Sequence, residues 1–81
     1  MTNVDYSQDF LRIISKLDQS IKEKLKKQIE KIIKDPEIGK PMRFNRKDTR
    51  EVYVSPFRIS YIYLKAEDKI VFLDFYHKDE Q

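Results

Sequence analysis

Eighty-one residues make one domain, 1–81, near the size at which a single hydrophobic core just suffices, and the lack of cysteine excludes disulfides and thiolate metal sites. One histidine offers no zinc-ligand set, and neither a leader-like start nor a membrane-length apolar run is present. The expectation is a cytoplasmic protein with no metal, cofactor or membrane contact. Charged residues make up 38% of the chain at a net charge of only +3, so their distribution is what informs. Residues 20–50 carry eleven basic against five acidic side chains, which suits a polyanion or an acidic partner protein. For the lysines of 22–34 the plainer alternative is a solvated helix face.

"NVDY" is compatible with a short first strand within residues 1–6. Ser7 then reads as an N-cap, and Phe10, Ile13, Ile14 and Leu17 follow at helical spacing, predicting an amphipathic helix of about three turns. After "LDQS", Ser20 and Glu23 have capping-box spacing and open a second helix to about Lys34. Its apolar stripe is Ile21, Leu25, Ile29, Ile32 and Ile33. "DPEIGKP", with the chain's one glycine at Gly39, ends it. The short connection predicts an antiparallel helical hairpin.

From Lys40 the hydrophobic period changes to two. "MRF" alternates briefly and "NRKDTR" reads as a loop; "EVYV" (51–54), "FRISYIYL" (57–64) and "IVFLDFYH" (70–77) read as strands. Ser55-Pro56 and "KAED" are short enough for antiparallel hairpins. The fold class is α+β: an N-terminal helical hairpin packed on one face of a small antiparallel sheet. The last strand is apolar on both faces, which a one-sided sheet does not explain and which a covering partner chain would.

A four-residue "KAED" loop pairs Leu64 with Lys69 and sets Arg58 opposite Phe75, with His77 on the Arg58 face. A two-residue Ser55-Pro56 loop sets Tyr53 opposite Arg58, with Glu51 pointing the same way. The expected cluster is Glu51, Tyr53, Arg58, Phe75 and His77. RNA cleavage through its own 2′-OH needs a base, cations on the phosphorane and an acid for the 5′ oxygen. Arginine clamps phosphate, histidine moves protons near neutrality, and tyrosine stacks on a base. The candidate catalytic residues are therefore Arg58, His77 and Glu51. Lys40, Arg43, Arg46, Lys47 and Arg50 are candidate RNA-backbone contacts, with Tyr53 as a base contact. The alternatives are a cross-strand Glu51–Arg58 ion pair, a solvated terminal histidine, tyrosines that serve packing, and a basic loop that keeps an edge soluble.

The order helical hairpin, "GKPMRF", "REVYVSPFRISYIY", "IVFLDFYHKDE" resembles the RelE/ParE superfamily of toxins from type II toxin–antitoxin systems over nearly the whole chain, most closely the RelE branch. The resemblance implies a toxin that cleaves mRNA on the ribosome without a metal, blocked by a small, acidic, partly disordered cognate antitoxin in a hetero-oligomer. It adds Lys78, after the histidine, as a phosphate contact. Relatives often continue past "HKD" with a further aromatic, whereas this chain ends at "EQ". Two other functions share the fold: a ParE-like inhibitor of DNA gyrase without nuclease chemistry, and a catalytically weakened homologue that acts only as a binding partner.

Overall fold

Ser7 caps the first helix as its sequence context predicts. Its hydroxyl accepts a hydrogen bond from the Phe10 N–H at 3.0 Å, and α1 runs Gln8–Ser15, shorter than the apolar spacing suggests. The computed structural model describes residues 2–41 and 48–77. The second helix, α2, spans Gln19–Lys34 and corrects the expected capping box. Asp18, not Ser20, is its N-cap; the carboxylate accepts from the Ile21 N–H at 3.0 Å and from the Ser20 hydroxyl at 2.8 Å. An ionised acceptor outcompetes a hydroxyl at the positive end of a helix, so Ser20 falls inside the first turn. Those bonds to the charged form hold the Asp18 carboxyl below its usual range, the backbone bond contributing most.

Five strands follow the order β1-β5-β4-β3-β2: β1 Asn3–Tyr6, β2 Lys40–Pro41, β3 Thr49–Val54, β4 Phe57–Leu64 and β5 Lys69–His77. The sheet is mixed, because β1 lies parallel to β5 while the other pairs are antiparallel. Both expected hairpins form, with Val54 opposite Phe57 and Leu64 opposite Lys69; Asp68, in the left-handed region at φ 49°, closes the second loop.

Both helices cover one sheet face. Phe10 of α1 and Leu25 and Ile32 of α2 pack with Ile59, Tyr61, Ile70, Phe72 and Phe75 in a single buried core. Tyr6 on the edge strand stacks over Phe10 and Phe72, extending that core to the rim of the sheet.

The register of β4 and β5 departs from simple alternation. Tyr61 pairs with Phe72, but Ser60 pairs with Asp74, so Leu73 is an extra residue in a β-bulge. Leu73 does not go unsatisfied: the Ser7 hydroxyl donates to its carbonyl at 2.7 Å, while the Ser7 N–H donates to the carbonyl of Phe72 at 2.9 Å. One serine thus starts α1 and holds the bulge. This bulge accounts for Phe75 in the two-sided apolar pattern of the last strand, while Val71 stays opposite Ile62 on the other face. Ile70 and Phe72 before it and Phe75 after it all enter the same core, despite their mismatched parity.

Candidate functional site

Beyond the bulge every β5 side chain changes face. Arg58 lies opposite Tyr76, not Phe75, and His77 pairs with Phe57 on the helix-covered side, where the two rings meet edge-on at 5.6 Å. The expected placement of Phe75 and His77 beside Arg58 is therefore corrected, since one inserted residue inverts the facing of all that follow it. Phe75 stacks on Phe57 at 4.7 Å in the core. Tyr76, which simple alternation sets on the face away from Arg58, is the residue the bulge brings to it.

On the open face the register aligns Glu51 with Ser60 and Tyr53 with Arg58, as the sequence predicts, and sets Lys40 of β2 opposite Glu51. The side chains converge on the Glu51 carboxylate. One oxygen accepts from Arg58 Nη1 at 2.9 Å and the other from the Tyr76 hydroxyl at 2.5 Å. The Arg58 guanidinium lies 6.0 Å from the centre of the Tyr53 ring, at the outer limit of a cation–π contact. Its Nε–H is buried and meets no acceptor among the described residues. Glu51 and Arg58 retain 19% and 34% side-chain exposure, so the pair is shielded yet within reach of a ligand. The arrangement holds an anion-binding guanidinium, an ionisable carboxylate and a phenolic proton donor together, beside an exposed aromatic ring.

Arg50 stands apart from this group. Its pairing with Tyr61 puts it on the helix side, where Nη1 donates to the carbonyls of Glu37 at 3.1 Å and Gly39 at 2.8 Å. Those carbonyls lie beyond the end of α2, so Arg50 is held on the helix side, away from the Arg58 group. The Tyr61 hydroxyl completes the turn: it accepts from the Gly39 N–H at 3.0 Å and donates to the Pro36 carbonyl at 2.8 Å. Burial raises the Tyr61 phenol above its ordinary range. A Cβ on Gly39 would lie 2.6 Å from that oxygen, so only glycine lets the chain pass and deliver Lys40 to the open face. Arg43, Arg46, Lys47 and Lys78 lie outside the described residues.

No group of metal-ligating side chains occurs among the described residues. Elsewhere, Tyr6, Ile14, Leu25, Ile29 and Ile33 line a groove of about 320 Å³ edged by Lys22, Lys26 and Glu30. No helix among the described residues is long and apolar enough to cross a membrane.

The profile of the family described as ParE toxin of type II toxin–antitoxin system, parDE, matches residues 4–81. This chain belongs to the ParE toxin family. Toxin of the RelE/ParE superfamily is accordingly the description its sequence and fold both carry. No curated protein sequence matches it. The toxin is similar in fold to several solved structures at low sequence identity. The intact RelBE toxin–antitoxin complex of E. coli gives a TM-score of 0.82 at 18% identity, covering 95% of this chain and 96% of that one. The RelBE2 complex of Mycobacterium tuberculosis gives 0.83 at 20%, covering 95% and 98%. The archaeal RelE–RelB complex of Pyrococcus horikoshii gives 0.77 at 10%, covering 99% and 98%.

Proposed function

We propose that this toxin is an mRNA endoribonuclease acting in the cytoplasm on ribosome-bound message. The observation that carries the proposal is the convergence of Arg58, Glu51 and Tyr76 on the helix-free face of the sheet. Arg58 clamps the scissile phosphate and stabilises the charge that develops on it. The Glu51 carboxylate takes the proton of the 2′-OH as that oxygen bonds to phosphorus. The P–O5′ bond breaks, and the Tyr76 hydroxyl supplies the proton the leaving oxygen needs. The products are a 2′,3′-cyclic phosphate and a 5′-OH end. Tyr53 offers a face for base stacking and Lys40 a backbone contact, to which Arg43, Arg46, Lys47 and Lys78 add charge from neighbouring segments. Tyr76 takes the place that alternation assigned to His77.

The partner in this proposal is a cognate antitoxin, as the RelE relatives were crystallised with RelB. A small acidic chain that is ordered on binding would cover the Arg58 face and neutralise the basic 40–50 segment. Its apolar side chains fit the groove beside Tyr6, where Lys22 and Lys26 favour acidic neighbours.

Primer extension on a defined mRNA, with and without programmed ribosomes, tests the nuclease. Cuts that require ribosomes, and that Arg58→Ala abolishes, are expected. The ParE family match favours one second function, inhibition of DNA gyrase without RNA cleavage. Loss of gyrase supercoiling activity with intact mRNA would establish that function in its place.

A further inference from the structure

We infer that Glu51 is a built-in competitor for the Arg58 anion site, a latch that an incoming phosphate must displace before the carboxylate is free. This inference rests on the open face being a phosphate-binding surface, and it specifies how that surface is kept closed.

Three observations support it. The guanidinium meets Glu51 through Nη1, and its Nε–H is buried without an acceptor among the described residues. Arginine binds an oxyanion most strongly through two parallel N–H donors, so this pair uses less than the side chain offers. An unmade buried donor is also a standing cost that a rearrangement onto a second acceptor relieves. Secondly, both Glu51 oxygens are engaged, one by Arg58 and the other by the Tyr76 hydroxyl. Neither oxygen therefore faces a ribose hydroxyl in the free protein, and transfer of the guanidinium to phosphate opens one of them. Thirdly, the pair is partly exposed, with 19% and 34% of the side chains accessible, so exchange requires side-chain rotation and no opening of the core. The same carboxylate repels a phosphate approaching Arg58, which weakens binding until the exchange occurs.

The free protein is therefore self-capped. Phosphate takes Arg58, and Glu51 and Tyr76 are released together to face the ribose and the leaving oxygen. An anion that cannot displace Glu51 leaves the toxin idle.

The test follows the Arg58 Nε–Hε resonance by NMR while the full chain is titrated with inorganic phosphate and, separately, with a 2′-O-methyl trinucleotide that cannot be cleaved. Glu51→Gln keeps the side-chain length and removes the charge. It is expected to bind both probes about tenfold more tightly than the unmodified chain, equivalent to about 1.4 kcal/mol. Glu51→Asp keeps the charge but withdraws it by one methylene, and an intermediate affinity is expected. It also serves if the glutamine variant does not fold. Tyr76→Phe removes the second donor that holds Glu51 and leaves the Arg58 bond in place, so a gain in affinity smaller than that of Glu51→Gln is expected. Equal or weaker binding of both probes by the Glu51 variants overturns the latch. Tighter phosphate binding with no trinucleotide binding by any variant upholds the latch and overturns the RNA proposal.

Discussion

Ser7→Ala separates two functions of one hydroxyl and tests whether the bulge is held from outside the sheet. The hydroxyl accepts from the Phe10 N–H at the start of α1 and donates to the Leu73 carbonyl in the bulge. Removing an N-cap costs about 1 kcal/mol, and losing a hydrogen bond to a half-buried carbonyl about 1 kcal/mol more. A loss of about 2 kcal/mol lowers Tm by roughly 8–16 °C in a domain this small. Ser7→Asp is the informative companion. Its carboxylate still caps α1 but cannot donate to Leu73, so about half of the loss should return. Thermal and urea unfolding followed by circular dichroism measure both variants. A Ser7→Ala loss below about 0.5 kcal/mol, or complete restoration by Ser7→Asp, would refute the claim that Ser7 holds the bulge. Because the bulge sets which face Tyr76 occupies, Ser7→Ala should also displace the Tyr76 ring resonances, while those of Tyr53 on β3 stay put.

Tyr61→Phe leaves the Gly39 N–H and the Pro36 carbonyl unpaired and should cost about 1–3 kcal/mol in urea unfolding. Gly39→Ala forces a Cβ to within 2.6 Å of the same hydroxyl; its loss should shrink in the Tyr61→Phe background, as a double-mutant cycle would show. In cells expressing the toxin, Arg58→Ala should abolish growth inhibition and Tyr76→Phe should weaken it far more than His77→Ala does; the reverse ranking would remove Tyr76 from the site. The lowered Asp18 carboxyl contributes stability that is fully present above its unfolded pKa of about 3.9 and is lost as pH falls through its lower folded value. Asp18→Asn, which still caps, should therefore flatten the stability profile below about pH 4, measured by denaturant titrations across that range.

Local patterns carried most of the architecture. The helical period of 10–33, the N-cap at Ser7, the two short hairpin loops and the alternation of 57–64 each follow from forces acting within a few residues. Together they specify α+β with a helical hairpin on one sheet face. They also put Glu51, Tyr53 and Arg58 on a common side, because a two-residue loop leaves no slack in the β3–β4 register. The resemblance in the β3–β4 hairpin and last strand was likewise legible, and the family match bears it out. What tertiary structure alone decided lies beyond Leu73. Whether a strand takes an extra residue depends on a donor from another element, here the Ser7 hydroxyl 66 positions earlier in the chain, and no local propensity encodes that meeting. The parallel placement of β1 against β5 and the commitment of Arg50 to the carbonyls after α2 are of the same kind. Each is a hydrogen bond whose partners become neighbours only when the helices close over the sheet. The sequence held one trace of this in the two-sided apolar run of residues 70–76. It reflects a strand whose core-facing residues change parity midway, and that change brings Tyr76 to Arg58 and carries His77 away.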